Sequence, residues 1–324
     1  MRVAIVGAGM AGLACAERLG AAGHLVRLFD KGGRPGGRLS SRRAETPLGA
    51  VIFDHGAQYL TVRDAGFRDR VERWQEAGHA VPWPAAGAEA WVGTPAMDAP
   101  VRAMAAGQSV RWSAQVTALL REGEGWRLRG EGVDEKGFDA AVVALPAEQA
   151  AALLGPWSAG FAERAGAAPS LPCWTVMAAF AERVPLAADL LREEGIIGWA
   201  ARNSAKPGRG GPEAWVIQAG AGWSRLHLEE GPEAVIPALL AALASRAGAP
   251  PPAPVHAAAH RWRYARSGAS GDGTLWDARL RLGACGDWLL GPRVECAWLS
   301  GDGLARRMLA GAGQPPDPGR GVTG

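Results

Sequence analysis

The stretch Arg2-Val3-Ala4-Ile5-Val6-Gly7-Ala8-Gly9-Met10-Ala11-Gly12 decides the fold. Arg2 to Val6 reads as a short buried strand, and Met10 to Ala22 carries alanine and leucine at helical spacing. Gly23 caps that helix, and His24 to Asp30 reads as a second strand, which completes a strand-helix-strand unit of the dinucleotide-binding kind. Gly7 permits the tight turn, Gly9 lets backbone approach a pyrophosphate, and Gly12 lets the helix pack on the strand. The helix start offers unpaired N–H donors. Asp30 ends the second strand, where a carboxylate accepts hydrogen bonds from a ribose diol. In a chain with 46 glycines the triplet alone is a weak signal. The strand, helix and acid around it make it specific.

A second cluster, Arg34-Pro35-Gly36-Gly37-Arg38, follows a few residues beyond Asp30. It supplies a cationic, backbone-close surface on the pyrophosphate side, with Arg38 as the charge-assisted donor, and it turns a generic dinucleotide into FAD. Val110 to Leu120 and Gly125 to Arg129 resemble a hairpin, and Phe138 to Leu145 is an apolar strand stopped by Pro146. Val51 to Tyr59 is strand-like, Glu233 to Ala247 helical, Asn203 to Pro212 a loop, and Val294 to Leu309 a final helix. The expected architecture is α/β with an α+β substrate domain. A discontinuous Rossmann-like FAD-binding domain covers 1–65, 106–150 and 276–312, a smaller mixed-sheet substrate domain covers 66–105 and 151–275, and 313–324 is a flexible tail.

The 324 residues are 48% hydrophobic and 21% charged, a balance expected to fold along most of the chain. The net charge is +3 without a dense Lys/Arg run, so a nucleic-acid partner is not expected. Cys15, Cys173, Cys285 and Cys296 have neither a CxxC pair nor metal-ligand spacing, which points to free thiols and no metal. No charged leader with an apolar core and cleavage site precedes the first strand. The longest apolar run, Ala234 to Ala244, contains Pro237 and is too short for a bilayer. A cytoplasmic protein with no membrane partner is expected, and the sequence is silent on oligomeric state.

Gly7, Gly9, Gly12, Ala16, Leu19, Gly23, Asp30 and Gly36-Gly37-Arg38 together resemble the N-terminal signature of the flavin amine oxidase superfamily. Four further stretches resemble one branch, renalase and its bacterial relatives: Asp54-His55-Gly56-Ala57-Gln58-Tyr59, Asn203 to Arg209, His260 to Arg266, and Gly286 to Gly301. These span nearly the whole chain in the expected order. Cys296 departs from the pattern, which has a small residue such as glycine there. The resemblance implies non-covalent FAD held by Gly7, Gly9, Met10, Ala11, Gly12, Asp30, Lys31, Gly37, Arg38, His55, Gly56, Ala57, Gln58, Val116, Gly286, Asp287, Arg293, Val294 and Glu295. In it, Asp287 bonds the ribityl or pyrophosphate region, the helix start near Val294 faces the flavin N1/C2 oxygen, and His55 organises the flavin-side loop.

The same resemblance implies oxidation of isomeric dihydronicotinamide dinucleotides, carrying hydride at the 2 or 6 ring carbon, to NAD(P)+, with dioxygen reduced to hydrogen peroxide. Loss of hydride makes the ring an aromatic pyridinium, so positioning replaces a general base. Tyr59, Asn203, His260 and Trp298 are expected around the substrate ring. Tyr59 and Trp298 read equally well as core aromatics, Asn203 as a turn residue and His260 as a satisfied buried histidine. A monoamine or polyamine oxidase is the nearest rival, and it usually places a lysine near flavin N5. Here only Lys206 is available centrally. No second Gly-x-Gly-x-x-Gly supports a separate NAD(P)H-binding fold, and a non-catalytic flavin-binding protein is the alternative from another class.

Overall fold

The computed structural model describes residues 1–311, so the tail expected at 313–324 lies outside the described residues. The first strand, Arg2–Val6, sits inside a six-stranded sheet flanked by Ala140–Val143 and Leu25–Phe29, parallel to both. Val110–Arg111 and Leu282–Ala284 extend it in parallel, and Leu275–Asp277 closes one edge antiparallel. The two-residue period of a strand divides its buried side chains between the faces. Val3 and Ile5 join the core under the helix Met10–Ala21, while Ala4 and Val6 join a separate core with Trp126, Leu128 and Phe138. Helices therefore cover one face. A three-stranded antiparallel sheet, Gln115–Glu122, Gly125–Glu131 and Val133–Phe138, covers the other.

The predicted hairpin thus starts later than the sequence indicates, because Val110–Arg111 belongs to the parallel sheet. Its third strand, Val133-Asp134-Glu135-Lys136-Gly137-Phe138, escaped notice because it is an edge strand with polar residues outward and only Val133 and Phe138 buried. Similarly, the strand expected over Val51 to Tyr59 is a strand only over Gly49–Phe53. Beyond it Asp54 to Tyr59 is a loop, and its buried polar groups form tertiary bonds instead of a ladder.

A second sheet has five antiparallel strands in the order Leu190–Glu194, Ile197–Arg202, Glu213–Ala219, Leu171–Phe180, Pro254–Arg266. Trp174, Val176, Ala178 and Phe180 face the helix Pro232–Ala244 in one core, whereas Met177 and Ala179 meet Val51 and Phe53 in another. This is the α/β plus mixed-sheet architecture read from the sequence. The segment 66–105, expected with the substrate domain, contributes Phe67, Val71, Trp74, Val101 and Met104 to the core under Met10–Ala21.

The last described helix, Val294–Gly311, packs along Met10–Ala21, so the first and last described helices build one layer. A Cβ at Gly12 would run into the carbonyl oxygen of Gly7, which is how closely the first helix is seated on the turn. Gly12→Ala is therefore expected to lower the unfolding free energy by about 1–3 kcal/mol, the usual range for overpacking. Urea denaturation checks this, and an unchanged midpoint would contradict the close seating.

Candidate active site

A cavity of about 2220 Å³ runs from the glycine turn to the five-stranded sheet. Drug-sized ligands occupy roughly 300–1,000 Å³, so this one has room for a dinucleotide and a second molecule. At its first end Gly7 takes φ +105°, a left-handed conformation that only glycine adopts without strain. A Cβ at Gly9 would meet no protein atom within 4 Å, so the turn leaves open space there for a ligand. The helix starting at Met10 has no side-chain cap, leaving its first N–H groups for an anion. Asp30 accepts from the backbone N–H of Ala8 and of Gly32, both at 2.8 Å. A carboxylate has about four acceptor sites, so capacity for a ribose diol remains. These features fit the adenine-dinucleotide half of FAD.

Arg38 and Asp287, predicted as separate cofactor contacts, bond each other. The guanidinium donates in a fork to both carboxylate oxygens at 2.8 and 2.6 Å, and Ser267 Oγ donates to the same carboxylate at 2.9 Å. Both residues still line the cavity, with Lys31, Gly37, Val116, Gly286, Arg293 and Val294. Gly12 and Glu295 do not. Gly12 is buried against the turn, and Glu295 accepts from the N–H groups of Arg63 and Asp64, each at 2.7 Å, and pairs with Arg293. Its role is to fix the entry of the loop at 63–64 onto the last helix.

The loop Asp54 to Tyr59 forms the middle of the wall, and His55, Gly56, Ala57, Gln58 and Tyr59 all line the cavity. Its anchor is Asp54, 0% exposed, which accepts from Arg209 at 2.6 Å, Ser41 at 2.8 Å, the Met97 N–H at 2.9 Å and Lys206 at 3.2 Å. Burial opposes its charge, but Lys206 and Arg209 outweigh that and hold the carboxyl down at about 2. Lys206 also donates to the Gln58 backbone and side chain, both at 3.1 Å, and does not line the cavity. Burial lowers its ammonium to about 8.

Across the five-stranded sheet, register places Trp199, Gln218, Thr175 and His260 in one cross-strand row. Trp199 packs on Tyr59 with ring centroids 5.2 Å apart, and Gln218 donates to the Gly56 carbonyl at 2.8 Å. His260 lies 5.0 Å from His55 and 4.3 Å from Trp262, whose indole donates to the His55 carbonyl at 2.9 Å. Of the four residues expected around a substrate ring, Tyr59 and His260 meet in this cavity; Asn203 and Trp298 do not. Asn203 is 1% exposed and donates to the Ile52 carbonyl at 2.7 Å, because the loop must satisfy a strand end. Trp298 is 7% exposed and packs against Phe67, since its helix turns that face to the core.

Sequence reading passed over Trp199, Gln218, Trp262 and Tyr264, all of which line the cavity. For the last two a signal existed, the alternation His260-Arg261-Trp262-Arg263-Tyr264. Trp199 and Gln218 come from other strands, and only register brings them in.

His55 is buried, and burial first, then His260 and the cationic Arg42 and Arg34, push its imidazole down to about 4. An unfolded chain protonates it near the ordinary value of 6.5, so between those values the unfolded state binds more protons. Unfolding free energy therefore falls as pH drops through that window. His55→Leu is expected to flatten this slope, leaving the part owed to His260, which burial also lowers. Denaturant midpoints taken in steps across the window test it, and a slope as steep as in the parent would contradict the assignment.

Among known proteins, a family model described as an NAD(P)-binding Rossmann-like domain matches residues 5–73. Another, described as flavin containing amine oxidoreductase, matches residues 84–309, more than half of the chain. A 4,4'-diapophytoene desaturase of Staphylococcus haemolyticus is 38% identical over 79 residues, 24% of this chain and 15% of that protein. A phytoene desaturase of Rhodobacter capsulatus is 44% identical over 77 residues, 24% of this chain and 13% of that protein. The chain thus aligns with less than a fifth of the length of these curated relatives. Among solved structures, cyclohexylamine oxidase from Brevibacterium oxydans superposes with a TM-score of 0.71 at 13% identity, covering 97% of this chain and 99% of that one. A protein provisionally assigned as a protoporphyrinogen oxidase, from Exiguobacterium sp., gives 0.75 at 12% identity, covering 97% and 99%. At such identities the likeness concerns the fold. With the glycine turn, the uncapped helix and the matched family model in agreement, the chain belongs to the flavin-containing amine oxidoreductase family, and its cofactor is FAD.

Proposed function

We propose that this enzyme oxidises isomeric dihydronicotinamide dinucleotides, with transferable hydride at the 2 or 6 ring carbon, to NAD(P)+. The charge of the cavity carries this reading. Its lining holds Lys31, Arg34, Arg38, Arg63, Arg192, Arg261, Arg263, Arg266 and Arg293, nine cations, against three carboxylates, Asp30, Glu193 and Asp287. Glu89, Glu229 and Glu295 behind the wall pair with four of these cations, and with the cofactor's pyrophosphate also counted a small cationic surplus remains. Such a lining attracts a polyanionic dinucleotide and opposes an ammonium.

Bound FAD supplies the two-electron acceptor, which dioxygen reoxidises with formation of hydrogen peroxide. The protein's part is to bind and orient the donor ring. Tyr59, Trp199 and Trp262 make one wall aromatic, which suits a planar ring, and the reading assigns His260 the hydrogen bond to a carboxamide beside it. Loss of hydride from a dihydropyridine needs no proton removal, which suits a wall whose histidines are held neutral and whose buried lysine is locked to Asp54. A cysteinyl bond to the flavin is disfavoured: of the cysteines only Cys173 lines the cavity, and burial pushes its thiol up to about 11. Amine oxidation is the second reading, favoured by the Tyr59 and Trp199 pair, because aromatic faces also receive cations.

The test is an anaerobic titration of the yellow protein with 2- and 6-dihydronicotinamide isomers, ordinary NAD(P)H and a panel of amines, followed by flavin bleaching. Fast bleaching by the isomers is expected; bleaching by amines alone would overturn the reading. His260→Ala is expected to slow reduction by the isomers about ten- to a hundredfold with FAD retained, the loss of one hydrogen bond to a polar group. Release of FAD from that variant would place His260 on the cofactor instead.

A further inference from the structure

Arg192 stands apart from the other cations of the cavity. It lies on the edge strand Leu190–Glu194, directly across from Trp199 in the antiparallel pair with Ile197–Arg202. Its guanidinium sits over the Trp199 ring, 4.9 Å from the centroid, and donates to the Ala86 carbonyl at 2.5 Å. The side chain is thus held at two points, yet among the described residues it pairs with no carboxylate. By contrast Arg261 and Arg263 pair with Glu229, Arg63 with Glu89, Arg293 with Glu295 and Arg38 with Asp287. Lys31, Arg34 and Arg266 also lack an ion-pair partner, but they follow Asp30 or precede Ser267 and so flank the cofactor cradle. Glu193, the next residue and also in the lining, makes no ion pair with Arg192.

The indole under Arg192 is the same one that packs on Tyr59 at 5.2 Å. An oriented, unneutralised guanidinium therefore stands one ring away from the aromatic site. A planar fork of donors in that state is suited to two oxygens of a phosphoryl group. We propose that Arg192 is the specificity-determining residue for the phosphoryl group of the substrate, forming with Trp199 a subsite beside the ring site. This rests on the dihydronicotinamide reading above and names the residue that distinguishes nucleotides from nucleosides.

The holoenzyme and its Arg192→Gln and Arg192→Ala variants are compared by anaerobic flavin reduction with the 6-dihydro forms of nicotinamide riboside, nicotinamide mononucleotide and NAD. The riboside isolates the ring, and the other two add phosphoryl groups. The glutamine variant keeps an N–H for Ala86, and far-UV circular dichroism with retained FAD shows that each variant is folded. In the parent, both phosphorylated donors are expected to bind at least about tenfold more tightly than the riboside, and in both variants that ratio of affinities is expected to fall to about one. Equal affinity of the parent for all three donors, or an equal loss for all three in the variants, overturns the subsite and leaves the reaction standing. If no dihydronicotinamide reduces the parent, the reaction falls and the ligand assigned to Arg192 falls with it.

Discussion

The substrate side of the molecule depends on one buried carboxylate. Asp54 has no exposed surface, and taking a charge out of water costs several kcal/mol unless partners replace the lost hydration. Those partners come from three distant segments: Ser41 in the cofactor-binding part, the Met97 backbone after a short sheet, and Lys206 with Arg209 beyond the strand Ile197–Arg202. Each must be in place for the others to be tolerated. Removing one partner of such a cluster typically costs about 3–5 kcal/mol because it strands the remaining charge. The loop that follows, His55 to Tyr59, inherits its position from this knot.

A second fork, Arg38 to Asp287, does the same for the cofactor side. It ties the loop after the second strand to the turn before the last helix, and Ser267 adds the end of the long edge strand Pro254–Arg266. Gly56 accepts from Gln218 through its carbonyl and lies so close to the Arg38 carbonyl that a Cβ would not fit. The wall against which a substrate ring would lie is therefore referenced to both sheets at once.

The electrostatics follow from the same arrangement. Burial holds the cavity histidines neutral, and the lysine that a reader of the sequence would offer as a catalytic group is turned inward to Asp54. What reaches the cavity is Lys31 and a set of arginines, some tethered by carboxylates behind the wall and some not. Fixed cations, aromatic side chains and histidines with lowered basicity therefore share one wall.

The sequence by itself determined the cofactor half. The turn Gly7 to Gly12 and Asp30 rest on local backbone geometry and short spacing, which are written directly in neighbouring residues, whereas the fork between Arg38 and Asp287 is not. It also gave the order of strands and helices well enough to name the fold, since buried periodicity is local too. Asn203, Trp298 and Glu295, expected at the site, lie outside the cavity lining, with side chains that face a loop, the core and a backbone turn. Only the tertiary structure decided which way those side chains point and which strands align. Trp199, Gln218 and His260 share a row because the register of one antiparallel sheet puts them there, and a one-residue slip would turn each strand's set to the opposite face.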